Sequence, residues 1–204
     1  MIGAIRSMFD AWRGAGTHSV TVPTMDGALS PNQIIEEAPV VLSVHAPDNL
    51  ASDGSRLFFS SGNEVRSAGR GEWTGVEAVA AFDQPVAAVA AHQSGMLAIG
   101  LDDGRVVLKG GRHDGKTLSK VGSRSIKCPT ALSFVDEDTL LLAVGSEQNP
   151  ASRWKRDLMQ KNASGSVWRI PLSGSEAACM AERLAFPNGL LPKADGSVVV
   201  SESW

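Results

Sequence analysis

Phe186-Pro-Asn-Gly-Leu-Leu-Pro-Lys-Ala-Asp-Gly-Ser-Val-Val-Val-Ser-Glu-Ser-Trp204 is the clearest copy of a unit that recurs along the chain. The unit is a proline, a short mixed stretch, a turn carrying Asp-Gly or Ser-Gly, and then a β-rich run. Further copies run from Ala46 to Ser61, from Gln84 to Ile99 and from Cys128 to Ala143. Two of them continue into a second hairpin, through Asp102-Asp-Gly-Arg-Val-Val-Leu108 and Ala163-Ser-Gly-Ser-Val-Trp-Arg-Ile170. Asp-Gly and Ser-Gly tolerate the positive φ that a tight hairpin turn requires, so short strands separated by them read as antiparallel hairpins. A period of roughly 40 residues with about four strands in each is the mark of a β-propeller blade. Blades are expected to start near Pro47, Pro85, Pro129 and Pro187, giving an all-β propeller that holds about three and a half blades in this chain.

Composition fits a soluble all-β domain. Of the 204 residues, 43% are hydrophobic and 21 are glycine, enough for a core with many turns. The net charge of −3 implies no general affinity for nucleic acid or acidic membranes. Cys128 and Cys179 are too few for a disulfide framework, and both read as buried free thiols. Near the N-terminus, Ile2, Ile5, Met8, Phe9 and Trp12 fall at helical spacing, interrupted by Arg6, Asp10 and Arg13. That pattern is neither a signal peptide nor a membrane span. It reads as a short amphipathic helix lying on the propeller, with a membrane-surface anchor as the other reading. The expected organisation is a helix and lead-in over residues 1–39 and the propeller portion over 40–204, in the cytoplasm.

Several segments resemble the strictosidine-synthase-like family, which is similar in fold to gluconolactonases, senescence-marker lactonases and paraoxonases. They are Val22-Pro-Thr-Met-Asp-Gly-Ala-Leu-Ser-Pro-Asn32, Ala46-Pro-Asp-Asn-Leu-Ala51, Arg153-Trp-Lys-Arg-Asp-Leu-Met159 with Gly165-Ser-Val-Trp-Arg-Ile170, and Phe186-Pro-Asn-Gly189. The resemblance implies a six-bladed propeller with a divalent metal, usually calcium, in the central channel. It also implies a small-molecule lactone or ester as substrate. Three blades and the opening of a fourth cannot close such a ring, so the chain is expected to be truncated or completed from elsewhere, and poorly soluble alone.

In a propeller the innermost strand of each blade starts near the axis, so one fixed place in the repeat forms a ring. The residues after the four prolines are Asp48, Val86, Thr130 and Asn188. Asp48, Thr130 and Asn188 bear oxygen, which is what a hard cation wants, and they are the candidate metal ligands. By the resemblance, Asn188 matches a metal-ligating Asn and Asp48 stands where a Glu is usual. Thr130 stands where a further Asn is expected. The other readings are a turn for Asn188-Gly189 and a turn or cap for Asp48-Asn49. The candidate catalytic residues are Glu202, which follows the family pattern on the strand after Asn188, and His45, placed to act as a base or else an ordinary loop histidine.

Gly110-Gly-Arg-His-Asp-Gly-Lys-Thr117 matches a phosphate-binding loop in letters, but no helical stripe follows it before Pro129. It reads as a polar loop. Ser152-Arg-Trp-Lys-Arg-Asp-Leu-Met-Gln-Lys161 reads as a hairpin insertion with Trp154, Leu158 and Met159 packing down; by the resemblance it lines the substrate entrance. No serine-hydrolase elbow and no zinc-protease or Cys-x-x-Cys motif is present. The leading expectation is a metal-dependent hydrolase of lactones or small esters. The alternatives are a non-catalytic propeller binding a small molecule or protein, a carbon–carbon bond-forming synthase, and an inactive fragment.

Overall fold

The computed structural model describes residue 34, residues 36–69 and residues 75–204. The chain divides into two units, Met1–Val40 and Val41–Trp204. The expected N-terminal helix lies outside the described residues, and every strand below belongs to the second unit.

Short runs of apolar and β-branched residues, punctuated by glycine turns, fold into antiparallel meanders. The first sheet takes β1 (Pro47–Ser52), β2 (Arg56–Ser61), β3 (Glu64–Gly69) and β4 (Glu77–Ala81) in sequential order. The second takes β5 (Val86–Ala91), β6 (Leu97–Leu101), β7 (Val106–Lys109) and β8 (Thr117–Leu118), and is followed by the small ladder of β9 (Lys120–Val121) with β10 (Arg124–Ser125). The third takes β11 (Pro129–Asp136), β12 (Thr139–Val144), β13 (Gly165–Pro171) and β14 (Ala178–Leu184), and β15 (Pro187–Pro192) then pairs with β16 (Val198–Glu202). The first strands are neighbours in series: β1 packs beside β5, β5 beside β11 and β11 beside β15. That all-β, propeller-like succession begins each sheet within a residue of the proline that opens its repeat.

Alternation along the strands explains why the sheets stack. Ala88 and Ala90 of β5, with Ala98 of β6, face a cluster that includes Leu140, Leu142 and Trp168 of the third sheet. The intervening Val89, Leu97 and Ile99 face Phe58 and Val65 of the first sheet. A sheet covered on both faces must be apolar at every position, and β6 is buried along its whole length. The turns follow their chemistry: Asp195 Oδ1 accepts from the Ser197 hydroxyl at 2.6 Å and the Ser197 N–H at 2.9 Å, while Gly196 takes φ 84°. These bonds, the hydroxyl's first, hold the Asp195 carboxyl below its usual range.

Three sequence expectations are corrected. Trp154–Gln160 is a seven-residue α-helix, α1, rather than a hairpin. Its one buried residue is Asp157, while Trp154, Leu158 and Met159 are exposed by 43%, 40% and 85%. Cys128 is buried as expected, but Cys179 is exposed, because β14 is the outermost strand of its sheet and most of its side chains meet solvent. In the Gly110–Thr117 loop the Gly110 N–H is taken by Asp114 Oδ1 at 2.6 Å and the chain runs on into β8, so the polar-loop reading holds there.

Candidate functional site

Each first strand opens with the same irregularity. Between the pairs Val86↔Leu101 and Ala88↔Gly100, β5 advances two residues while β6 advances one. The same slip separates Pro129↔Val144 from Ala131↔Ala143, and Pro187↔Glu202 from Gly189↔Ser201. In β1 the pairs Pro47↔Ser61 and Leu50↔Phe59 again leave one residue over. A bulge of one extra residue bends its strand and re-aims a side chain. The residues in these slips include Asp48, Ala87, Thr130 and Asn188, and all four line one cavity of about 450 Å³.

Asp48, Thr130 and Asn188 are therefore brought together, as the repeat suggested. The second ring position is corrected: Val86 is buried in the core, and the residue at the cavity is Ala87. Counting from Pro85 misplaces it, because β5 begins one residue after its proline whereas β11 and β15 begin on theirs. The remaining lining comes from Ala151, Trp154 and Leu158 in and before α1, and from Phe186, Ser203 and Trp204 flanking the last hairpin.

Thr130 has a second duty. Its hydroxyl lies 2.5 Å from the Pro187 carbonyl and 3.3 Å from that of Ala143. The single proton goes to the nearer, so the side chain straps β11 to β15. Gly145 leaves the room for this, since a Cβ there would meet Thr130 Cγ2 at 2.5 Å and Phe186 Cε2 at 3.2 Å.

Phe186 takes φ 54°, a left-handed conformation that bulky residues rarely adopt. The turn is held from β16: the Ser203 N–H donates to the carbonyls of Ala185 and Phe186, at 3.3 and 3.2 Å, and Glu202 Oε2 accepts from the Ala185 N–H. The Phe186 ring stacks on Trp204 with centroids 4.4 Å apart and planes 25° from parallel. Strain of this kind persists only where the surroundings over-determine it. Glu202 thus lies outside the cavity lining, exposed at the end of β16, and holds the turn. His45 does not line the cavity; it is exposed, and its carbonyl accepts from the Ser61 hydroxyl at 2.8 Å.

Sequence reasoning missed what fixes α1. Asp157 Oδ1 accepts from the Ser146 hydroxyl at 2.5 Å and from Asn149 Nδ2 at 2.9 Å, both on the loop after β12. Ahead of the helix, Asp102 accepts from the Ser152 N–H and hydroxyl, each at 2.7 Å. Two carboxylates from two different parts of the chain thus anchor the segment that carries Trp154 and Leu158. The only local signal was an acidic residue among the basic ones of Arg153–Lys161.

For a metal, the ring offers one carboxylate, one amide and a hydroxyl whose proton is committed. Oxygen-only donors suit a hard cation in kind, with water and backbone oxygens left to complete the shell. Among the described residues no group of three or more His, Cys, Asp and Glu is placed to hold a metal ion.

Among solved structures, the chain is similar to a gluconolactonase from Xanthomonas campestris, at 18% identity and a TM-score of 0.59, over 79% of this chain and 56% of that one. It thus spans about half the length of that enzyme. A computationally designed protein, Ika4, aligns at 15% identity and a TM-score of 0.49, over 80% of this chain and 98% of that one. No family model matches the sequence, and no curated protein matches it. The gluconolactonase likeness shows a gluconolactonase-like fold.

Proposed function

We propose that this chain belongs to a metal-dependent hydrolase of lactones or small esters, built on a propeller of the six-bladed type in which the successive sheets are consecutive blades. What supports it is the convergence of Asp48, Thr130 and Asn188 at equivalent bulges on one cavity, in a fold shared with a gluconolactonase. In this proposal Asp48 and Asn188 hold a divalent cation, calcium by its preference for oxygen, and the cytoplasm is the compartment. When bound, such a cation supplies polarisation of a carbonyl oxygen.

The chain's own residues do the rest. Trp154 and Leu158 shield the carbonyl from bulk water, and Asn188 Nδ2 and the Ser203 hydroxyl are donors for the ligand's oxygens. Hydrolysis adds a water oxygen to the carbonyl carbon, breaks the acyl C–O bond and passes the water's proton to the departing alkoxide, leaving a hydroxy acid or an acid and an alcohol. Asp48 is the one carboxylate lining the cavity, so it is the proposed carrier of that proton. Glu202 and His45, outside the lining, act on it at most through the turns they occupy.

A second proposal, a propeller that binds a small molecule without hydrolysing it, draws on the commitment of the Thr130 hydroxyl to Pro187. Calcium titration by calorimetry separates the two. The hydrolase predicts saturable binding lost in both Asp48→Asn and Asn188→Ala, whereas no binding, or binding indifferent to both changes, favours the second.

A further inference from the structure

We infer that a second cavity, at the other ends of the strands from the bulge ring, binds a small monocarboxylate with an apolar body, its carboxylate held between Arg56 and Lys109.

This cavity, of about 480 Å³, lies where the first two sheets meet, beside the β1–β2 and β5–β6 turns and the end of β7. Alternation along the strands decides which side chains enter it. Phe58 of β2, Leu97 of β6 and Val107 of β7 belong to the apolar layer between these sheets. Arg56 stands two residues before Phe58 and Lys109 two after Val107, so each shares the inward face of its strand. Lys109 is also the direct cross-strand partner of Leu97. The apolar layer therefore ends in two cations, one from each sheet, that line the same gap.

Like charges facing one gap repel, and in this chain other arginines meet carboxylates: Arg66, Arg105, Arg112 and Arg124 are all ion-paired. Arg56 and Lys109 form no ion pair with a described residue. Asp53 is the one carboxylate among the described lining residues. Its Oδ1 already accepts from the Ser55 N–H, the Ser55 hydroxyl and the Arg56 N–H, at 2.8, 2.9 and 2.8 Å. The rest of the described lining is uncharged, so two cations against one carboxylate leave a surplus of one positive charge, in a chain whose net charge is −3.

One surplus charge fits a monoanion, and the planar guanidinium of an arginine matches the two oxygens of a carboxylate. The floor decides the rest of the ligand. Phe58 and Leu97 are buried and line the cavity together with Val79, so a short hydrocarbon laid on them leaves water.

The test titrates the 204-residue chain with hexanoate, acetate and 1-hexanol at neutral pH, in calcium-free buffer of low ionic strength, with binding read from backbone amide NMR shifts. Saturable hexanoate binding is expected, with shifts centred on Arg56, Gly95 and Lys109, about tenfold or more tighter than either acetate or 1-hexanol. Arg56→Gln and Lys109→Gln, both at exposed positions, should each weaken it by about tenfold, and Arg56→Lys, which keeps the charge, should weaken it less. Asn188→Ala, at the other cavity, should leave it unchanged. Acetate bound as tightly as hexanoate would remove the apolar body, and 1-hexanol bound as tightly would remove the anion site; either overturns the inference. So does an absence of hexanoate binding, binding that neither Gln variant moves, or shifts confined to the surroundings of Asn188.

Discussion

The Thr130 hydroxyl donates to the Pro187 carbonyl at 2.5 Å, joining the first strand of one sheet to the first strand of the next across 57 residues of sequence. Thr130 at one end, and Asn188 next to Pro187 at the other, both line the cavity. The strap therefore sets the distance between two ring positions.

Replacing Thr130 by Val keeps the volume and removes the donor. Pro187 is buried, so its carbonyl loses a partner at a cost of about 1–3 kcal/mol. Chemical denaturation should show that loss with the slope against denaturant unchanged. A variant as stable as the wild type would mean the strap is dispensable.

Asp157→Ala leaves the Ser146 hydroxyl and the Asn149 amide without their shared acceptor. We expect about 2–4 kcal/mol of destabilisation. Hydrogen exchange should speed up over residues 154–160 before the strands β11–β13 are affected. Uniform acceleration across the chain would show that Asp157 supports the fold generally rather than α1.

Glu202 offers a sharper choice. A positioning residue needs only an acceptor for the Ala185 N–H, which Gln retains and Ala does not. Glu202→Gln should keep hydrolysis near the wild-type level, and Glu202→Ala should raise KM through a loosened Phe186 turn and shift the fluorescence of Trp204. A fall in kcat of about a hundredfold or more in the Gln variant, with KM unchanged, would instead restore Glu202 as a catalytic carboxylate.

The two thiols should separate cleanly. Burial pushes the Cys128 thiol up from 9.0 to about 12, whereas Cys179 is exposed on β14. A thiol reagent near pH 8 should label Cys179 in the folded protein and Cys128 only on unfolding. Between about 9 and 12 the unfolded Cys128 loses its proton and the folded one keeps it, so the native state binds more protons and stability falls as pH rises through that window. Stability that stays flat there in wild type, or falls equally in Cys128→Ala, would contradict this.

Much of the fold was legible because it is written locally. Pro47, Pro129 and Pro187 open strands, and turns such as Asp53-Gly54 and Asp195-Gly196 close the hairpins, each through contacts within a few residues. Three of the four ring residues followed from the same repeat. The fourth did not, because a β-bulge is a property of the pairing between two strands, and Ala87 differs from Val86 only in register. The role of Asp157 was hidden for a related reason: its partners Ser146 and Asn149 lie on a loop preceding the helix, while the segment itself read as a hairpin insertion with its apolar residues Trp154, Leu158 and Met159 packing down. Cys179 looked buried by its apolar neighbours until its strand proved to be the sheet's outer edge.

The most direct test of the proposed site is calcium-dependent hydrolysis of a small lactone by wild type and Asn188→Ala, each with and without a chelator. Asn188 is an exposed cavity residue, so its truncation should leave the unfolding transition intact. We predict turnover in the calcium-loaded wild type, abolished by the chelator and by the substitution alike. Turnover in all four samples at the same rate would contradict a cation held by the bulge ring.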